Sequence, residues 1–478
     1  MENENLENKL QENALSFWQL VFYAIVIMFP ATAFAITGST AMAYSGPVAP
    51  LSFLVAGIIL MFAIVAVYYY TIYVANAGGY YKFVEVSVRN PYLSKTIGLM
   101  QLLYYISIMW FTSILSGWLL WTGFETMFNV SIPLWVVILV SLIGPLGFLF
   151  VGYRKISLSG NLAIVVGATE IAIFAVIAVL LILKTPYNSL SYFNVYNSWG
   201  GFSGFFAAVV VGGFLTYAGY GSIVMYGEEA KTPHSTLKKA IVTAAVIIVI
   251  YETFLLYSVV AAAGPTLSTG LQFFAPGFYY TKLYLGLTYL AIGFAVILFD
   301  QIMAPIFNGN QAARIIYALA RDKVIPEKLS KVHKKYRSPY LAVILVTILT
   351  VIGVLLLITL SVYFYGIDYG LFVAWVIPGT ILSVIWMIYH AVVNETLPVM
   401  MKKIGKLNVL THIILPTVSS VFFIIALYYS VQGIAWPVSI SFIILVVWVI
   451  ASLVYIHFKK NQFKMDELKL KLSPKDAV

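Results

Sequence analysis

Twelve apolar stretches, each about 20 residues or longer, run through this 478-residue chain. Nothing else in the sequence constrains its fold as strongly. Each is long enough to cross about 30 Å of hydrocarbon as a helix. The expected spans are 16–43, 49–72, 96–121, 133–152, 156–183, 203–227, 240–263, 284–307, 340–362, 369–392, 409–431 and 436–457. A barrel would instead show alternating segments of about ten residues, and the chain has none. With 62% hydrophobic and 10% charged residues, it lacks the charge to coat a water-facing surface. The sequence therefore reads as an all-α membrane protein with 12 transmembrane helices.

Charge sets the orientation. Counting the polar segments alternately from the N-terminus, 26 of the 28 Lys and Arg fall on one side, and only Lys184 and Lys282 fall on the other. The positive-inside rule puts that basic side, with tails 1–15 and 458–478, in the cytoplasm of a cell membrane. The net charge of +10 is thereby a topology signal and not the footprint of a nucleic-acid partner. The apolar run from Leu15 to about Ala43 exceeds a signal h-region and reads as a retained span. The absence of cysteine excludes disulfides, thiolate metal sites and thiol catalysis. No nucleophile–base pair, metal motif or phosphate loop can be placed in the spans, so an enzyme and a bound cofactor are not expected.

Two spans are interrupted at matching depth. The first carries Phe29-Pro30-Ala31-Thr32-Ala33 at its middle, where Pro30 removes a backbone donor. The sixth reads Gly212-Gly213-Phe214-Leu215-Thr216-Tyr217-Ala218-Gly219-Tyr220-Gly221, whose glycines weaken a helix. Pro and Gly in membrane helices also serve simple kinks and close packing. The five-span separation favours a functional reading, because paired breaks in two halves point to a midplane site whose freed backbone groups suit a zwitterion.

Four segments resemble the amino acid/polyamine/organocation permease superfamily. Asn76-Ala77-Gly78-Gly79-Tyr80-Tyr81 looks like its element after the second span. The stretch from Phe214 through Gly227-Glu228-Glu229-Ala230-Lys231-Thr232-Pro233 is similar to its sixth-span signature. Asn310 to Asp322 resembles its Asn-x-x-x-Arg-x-x-Tyr-x-x-x-Arg-Asp element, and Val332-His333 with Arg337-Ser338-Pro339 continues the pattern. The resemblance implies a leucine-transporter-type fold of two inverted five-span repeats, 16–183 and 203–392, with 409–457 outside them. It also implies transport of amino acids or related amines by alternating access. Many such permeases carry Gly-Ser-Gly at the first break, where this chain has Pro30-Ala31-Thr32-Ala33. The implied substrate site is Phe29 to Ala33 and Thr216 to Tyr220, with Tyr104 or Tyr105 from the third span. Glu228, Glu229, Arg314, Arg321 and Asp322 are candidates for a charge network closing the inner side, although solvated helix ends would look the same.

Three acids fall within spans: Glu170, Glu252 and Asp300. A charged carboxylate at such depth costs on the order of 2.5–3.5 kcal/mol. Each acid is therefore neutral, bonded to backbone, or facing a cation or water. Glu170 falls where similar permeases often place an ionisable group near a second cation site, and Asp300 lies one helical turn before Ala304 of that site. A proton shared by Glu170 and Asp300 is the expected coupling, with ion-independent exchange next. Sodium coupling ranks third, because Met303-Ala304 replaces the hydroxyl pair that would ligate sodium. A transport-silent sensor with the same fold is the alternative from another class. The spans hold no fixed positive charge and few acids, which points to a neutral amino acid.

Overall fold

The computed structural model describes residues 9–465 except 274. The tail segments 1–8 and 466–478 lie outside the described residues. Every regular element among the described residues is helical. The chain runs through α1 (Phe17–Met28), α2 (Gly38–Ser45), α3 (Ala49–Tyr73), α4 (Tyr80–Val88), α5 (Pro91–Phe128), α6 (Leu134–Gly152), α7 (Ile156–Lys184) and α8 (Gly201–Ala207). It continues through α9 (Pro233–Ala263), α10 (Pro276–Leu285), α11 (Leu287–Arg321), α12 (Tyr340–Tyr365), α13 (Ile367–Lys403), α14 (Leu415–Val431) and α15 (Ile440–Lys459).

Ten helical runs among the described residues are long and apolar enough to cross a bilayer. Twelve were expected, and two places account for the difference. The run Phe17–Tyr73 spans 57 residues; laid straight it would measure about 85 Å, far beyond one bilayer. It is broken at Phe29 and turned at Gly46-Pro47-Val48, where Gly46 has φ +59° and a side chain would strike Trp199. The sixth stretch falls short because its apolar helix ends at Phe214.

Local chemistry sets the helix starts. Ser16 and Gln19 form a reciprocal capping box ahead of α1, with the Gln19 side chain accepting from the Ser16 amide at 2.8 Å. Asn90 accepts from the amides of Tyr92 and Leu93, and Pro91 follows at the first helical position of α5. Packing decides which helices lie inside. The most apolar window of α5 is 83% buried and that of the α15 run only 22%, so α5 is the interior pillar and α15 presents its apolar surface outward. Helices α11 and α13 pack along α5, α9 along α3, and α1 against α7 and α9.

Candidate functional site

The first break centres on one residue. Phe29 sits at φ 52°, ψ 57°, a left-handed conformation that ends α1 and restarts the helix at Pro30. A π turn, Ala33–Thr37, then leads into α2. The three amides that follow Pro30 are satisfied from within the protein. The Ala31 amide donates to Glu170 Oε1 of α7 at 2.6 Å, the Thr32 amide to the Phe29 carbonyl at 2.9 Å, and the Ala33 amide to the Pro30 carbonyl. This corrects the expectation that these amides lie open to a substrate carboxylate. A carboxylate of the chain itself occupies the anion-seeking end of the broken helix.

The sixth stretch follows α8 with a π segment, Ala208–Phe214. It leaves helical geometry in a turn over 217–221, with Gly219 at φ +106°, and resumes as a 3-10 turn, Ser222–Tyr226. Gly212 is small for a packing reason: an added Cβ would lie 2.6 Å from that of Ala41 on α2.

Between the two breaks lies a cavity of about 350 Å³. Phe29, Thr32, Thr216 and Ala218 line it, with Tyr104 and Phe111 of α5, Gln301 of α11 and Trp375 of α13. Among the described residues, no Asp, Glu, Lys or Arg lines it. Four lining polar atoms are buried with no hydrogen-bond partner among the described residues: Thr37 Oγ1, Gln301 Oε1, Trp375 Nε1 and Ser430 Oγ. Buried polar groups rarely go unpaired, so these donors and acceptors are available to water or to a polar guest.

Other expected lining residues lie elsewhere. Pro30, Ala31, Ala33 and Gly219 are not part of the cavity wall. Tyr217 turns away and donates to the Phe53 carbonyl at 3.0 Å, while Tyr220 OH pairs with His390 Nδ1 at 3.0 Å. Tyr105 is buried behind Tyr104, against which its ring packs edge-on. A phenol in an apolar bundle turns toward whichever backbone carbonyl or imidazole satisfies its hydroxyl, and sequence offers no sign of that choice. Glu170 and Asp300 are both fully buried but share no hydrogen bond. Asp300 Oδ2 accepts instead from Gln301 Nε2 at 2.9 Å, and Glu170 Oε2 and Asp300 Oδ1 have no partner among the described residues.

Below the cavity, polar contacts close one end of the bundle. Tyr23 OH bonds Ser159 Oγ, Asn310 Nδ2 donates to the same oxygen at 3.1 Å, and Arg314 Nη1 donates to the Asn310 carbonyl at 2.8 Å. Arg314 grips Glu229 through Nε and through Nη2, the latter at 2.7 Å. Burial pushes the Glu229 carboxyl up from its ordinary value, against the opposing pull of Arg314. The Glu229 carbonyl accepts from the amides of Ala14 and Leu15, so the segment before α1 is stitched to this layer. A second fork joins Arg321 to Glu228 at 2.7 and 3.0 Å, and Glu228 also accepts from the Ala77 amide at 3.0 Å.

Asp322 belongs to a different cluster. It meets Lys82 at 2.6 Å, Lys95 at 2.7 Å and Tyr81 OH at 3.1 Å. Glu85 completes the cluster by pairing with both lysines. Lys82 and Lys95, read from sequence as loop charges that orient the chain, are in fact fully buried in α4 and at the start of α5. The Lys82/Glu85 spacing of one helical turn was the available signal.

Crossing-length helices packed around a cavity bounded by two broken segments define a polytopic membrane protein with an interior cavity. Residues 9–469 match the amino acid permease family. The chain is 26% identical over 337 residues to the branched-chain amino acid permease BcaP of Bacillus subtilis, a match covering 65% of this chain and 67% of that protein. It is 24% identical over 372 residues to cationic amino acid transporter 5 of Arabidopsis thaliana, covering 73% of this chain and 62% of the relative. The BcaP of Lactococcus lactis is 24% identical over 323 residues, covering 63% and 67% respectively. The chain belongs to the amino acid permease family, and is a transporter, not an enzyme.

Proposed function

We propose that this permease carries a neutral amino acid, preferentially one with a branched apolar side chain, in symport with a proton. The observation that carries the reading is the cavity at the two breaks, whose lining has polar atoms for a head group but no charged side chain. A cationic or dicarboxylic substrate would enter such a space with its extra charge unpaired, at a cost of several kcal/mol. The apolar part of the wall, including Ile108, Phe111, Leu115 and Trp375, suits an aliphatic side chain. The two branched-chain permeases among the relatives support the same choice.

Alternating access arises from rocking of the repeats 16–183 and 203–392 about the cavity, within a twelve-span chain in the cell membrane that keeps both termini in the cytoplasm. The pairs Arg314–Glu229 and Arg321–Glu228 then close the inner side. Glu170, with Asp300 nearby, takes up and releases the proton. Its hydrogen bond to Ala31 ties that event to the broken first span, because loss of the carboxylate's charge weakens the bond that caps the amide.

Reconstituted into liposomes with separately imposed proton and sodium gradients, the protein is expected to accumulate isoleucine, leucine and valine only when the proton gradient points inward. Glu170→Gln should abolish that accumulation while leaving exchange of labelled for unlabelled substrate. Accumulation driven by sodium, or by the proton gradient in the variant, overturns the coupling scheme; preferential uptake of arginine overturns the substrate assignment.

A further inference from the structure

Gln301 occupies a singular place in the cavity wall. Its side chain is 1% exposed, its Nε2 donates to Asp300 Oδ2 at 2.9 Å, and its Oε1 has no partner among the described residues. Asp300 itself does not line the cavity. Among the described residues, Gln301 is the lining side chain that hydrogen-bonds a carboxylate. It is therefore the polar link between the space at the breaks and the buried acids. Glu170, from α7, interacts with Asp300 on one side and with Glu252, from α9, on the other; Tyr251 of α9 spends its hydroxyl on the Ile171 carbonyl at 2.9 Å. Among the described residues, neither Glu170 nor Asp300 has a cationic side chain as a hydrogen-bond partner.

We propose that Gln301 is a positioning residue whose amide shows the substrate a polarity set by the protonation of Asp300. The proposal rests on reading the cavity as the amino-acid site. An ionised Asp300 only accepts, so the amide must turn its NH2 group to the acid and its carbonyl oxygen away. A protonated Asp300 gains a donor, so the amide carbonyl can turn toward it and release the NH2 group to face the cavity. That NH2 is a donor for the substrate carboxylate. The carbonyl would repel it. Proton and substrate carboxylate therefore bind together, which is the sign that symport requires. A Met or Leu at 301 would fill the same volume but could not carry this exchange.

The test measures KM for labelled L-isoleucine in counterflow by the full-length protein in liposomes, with no pH gradient, at acidic and at neutral pH. The parent is expected to bind more tightly at acidic pH. Gln301→Met should raise KM at acidic pH by about tenfold to a hundredfold, the worth of one hydrogen bond to a charged group, and should bring the acid-to-neutral KM ratio toward one. Asp300→Asn should flatten the ratio in the same way, and the double variant should be no worse than the more affected single one. Should Gln301→Met fail to fold, Asp300→Asn tests the link from its other end. A Gln301→Met or Asp300→Asn protein that keeps the parent ratio, or effects that add in the double variant, overturns the inference while leaving the proposed function intact. A parent that exchanges no neutral amino acid at any pH overturns both.

Discussion

Replacing Glu229 by Gln removes the charge from a pair whose side chains are each 1% exposed. Breaking a buried ion pair from one side typically costs about 3–5 kcal/mol, because the surviving charge stays buried. Two features place this case at the low end. A glutamine keeps one acceptor for the guanidinium, and Arg314 retains its bonds to Asn310, 2.8 Å to the carbonyl and 3.2 Å to Oδ1. An inward-open state would hydrate both partners and lose little. The substitution should therefore disfavour the closed inner side by about 3 kcal/mol, a population shift of about a hundredfold. The chain has no cysteine, so a single introduced thiol reports without background. Along the chain Ser222 falls between Ala218 of the cavity wall and Glu229 of this layer; its residue is 4% exposed and its hydroxyl has no partner among the described residues, so Ser222→Cys is nearly isosteric and silent. In that background, an impermeant maleimide supplied on the basic face should label Glu229→Gln about a hundredfold faster than the parent. Equal rates in two folded proteins would refute the role of this pair as a lock.

Three further outcomes follow from particular contacts. Asp322→Asn leaves Glu85 as the one acid among the described residues that the contacts above pair with Lys82 and Lys95; it should destabilise the detergent-solubilised protein by about 3–5 kcal/mol, and adding Lys82→Met should recover part of the lost thermal stability. A double variant less stable than Asp322→Asn contradicts the charge argument. Gly212→Ala pushes a Cβ to 2.6 Å from that of Ala41 and to 2.8 and 2.9 Å from its Cα and N and should cost about 1–3 kcal/mol, read as a lower melting temperature that Ala41→Gly does not fully restore, because the backbone contacts remain; an unchanged melting temperature contradicts the packing argument. Thr380→Asp places a carboxylate in a cavity wall that, among the described residues, has no charged side chain; the ratio of arginine to isoleucine uptake should rise at least about tenfold, since a close charge pair couples by about 1.5 kcal/mol or more, and an unchanged ratio argues against this wall as the substrate contact.

The helices, the membrane and the two interruptions were legible in the sequence because they depend on local quantities. Transfer free energy accumulates residue by residue along a stretch. Pro30 lacks an N–H wherever the chain folds, and the Asn76–Tyr81, Phe214–Pro233 and Asn310–Asp322 signatures placed the chain in its family without any knowledge of contacts. What the tertiary structure decided is who satisfies whom. Glu170 and Ala31 are 139 positions apart, and no local pattern tells a carboxylate that its partner is a backbone amide at another helix's break. The same holds for Lys82 and Lys95, whose charges look like loop signals until α4 and α5 bring them onto Asp322, and for Tyr217 and Tyr220, which face carbonyl and imidazole in place of the cavity. In hydrocarbon an unpaired polar group costs several kcal/mol, so partner choice is made by the packed bundle as a whole, and only the folded chain reveals it.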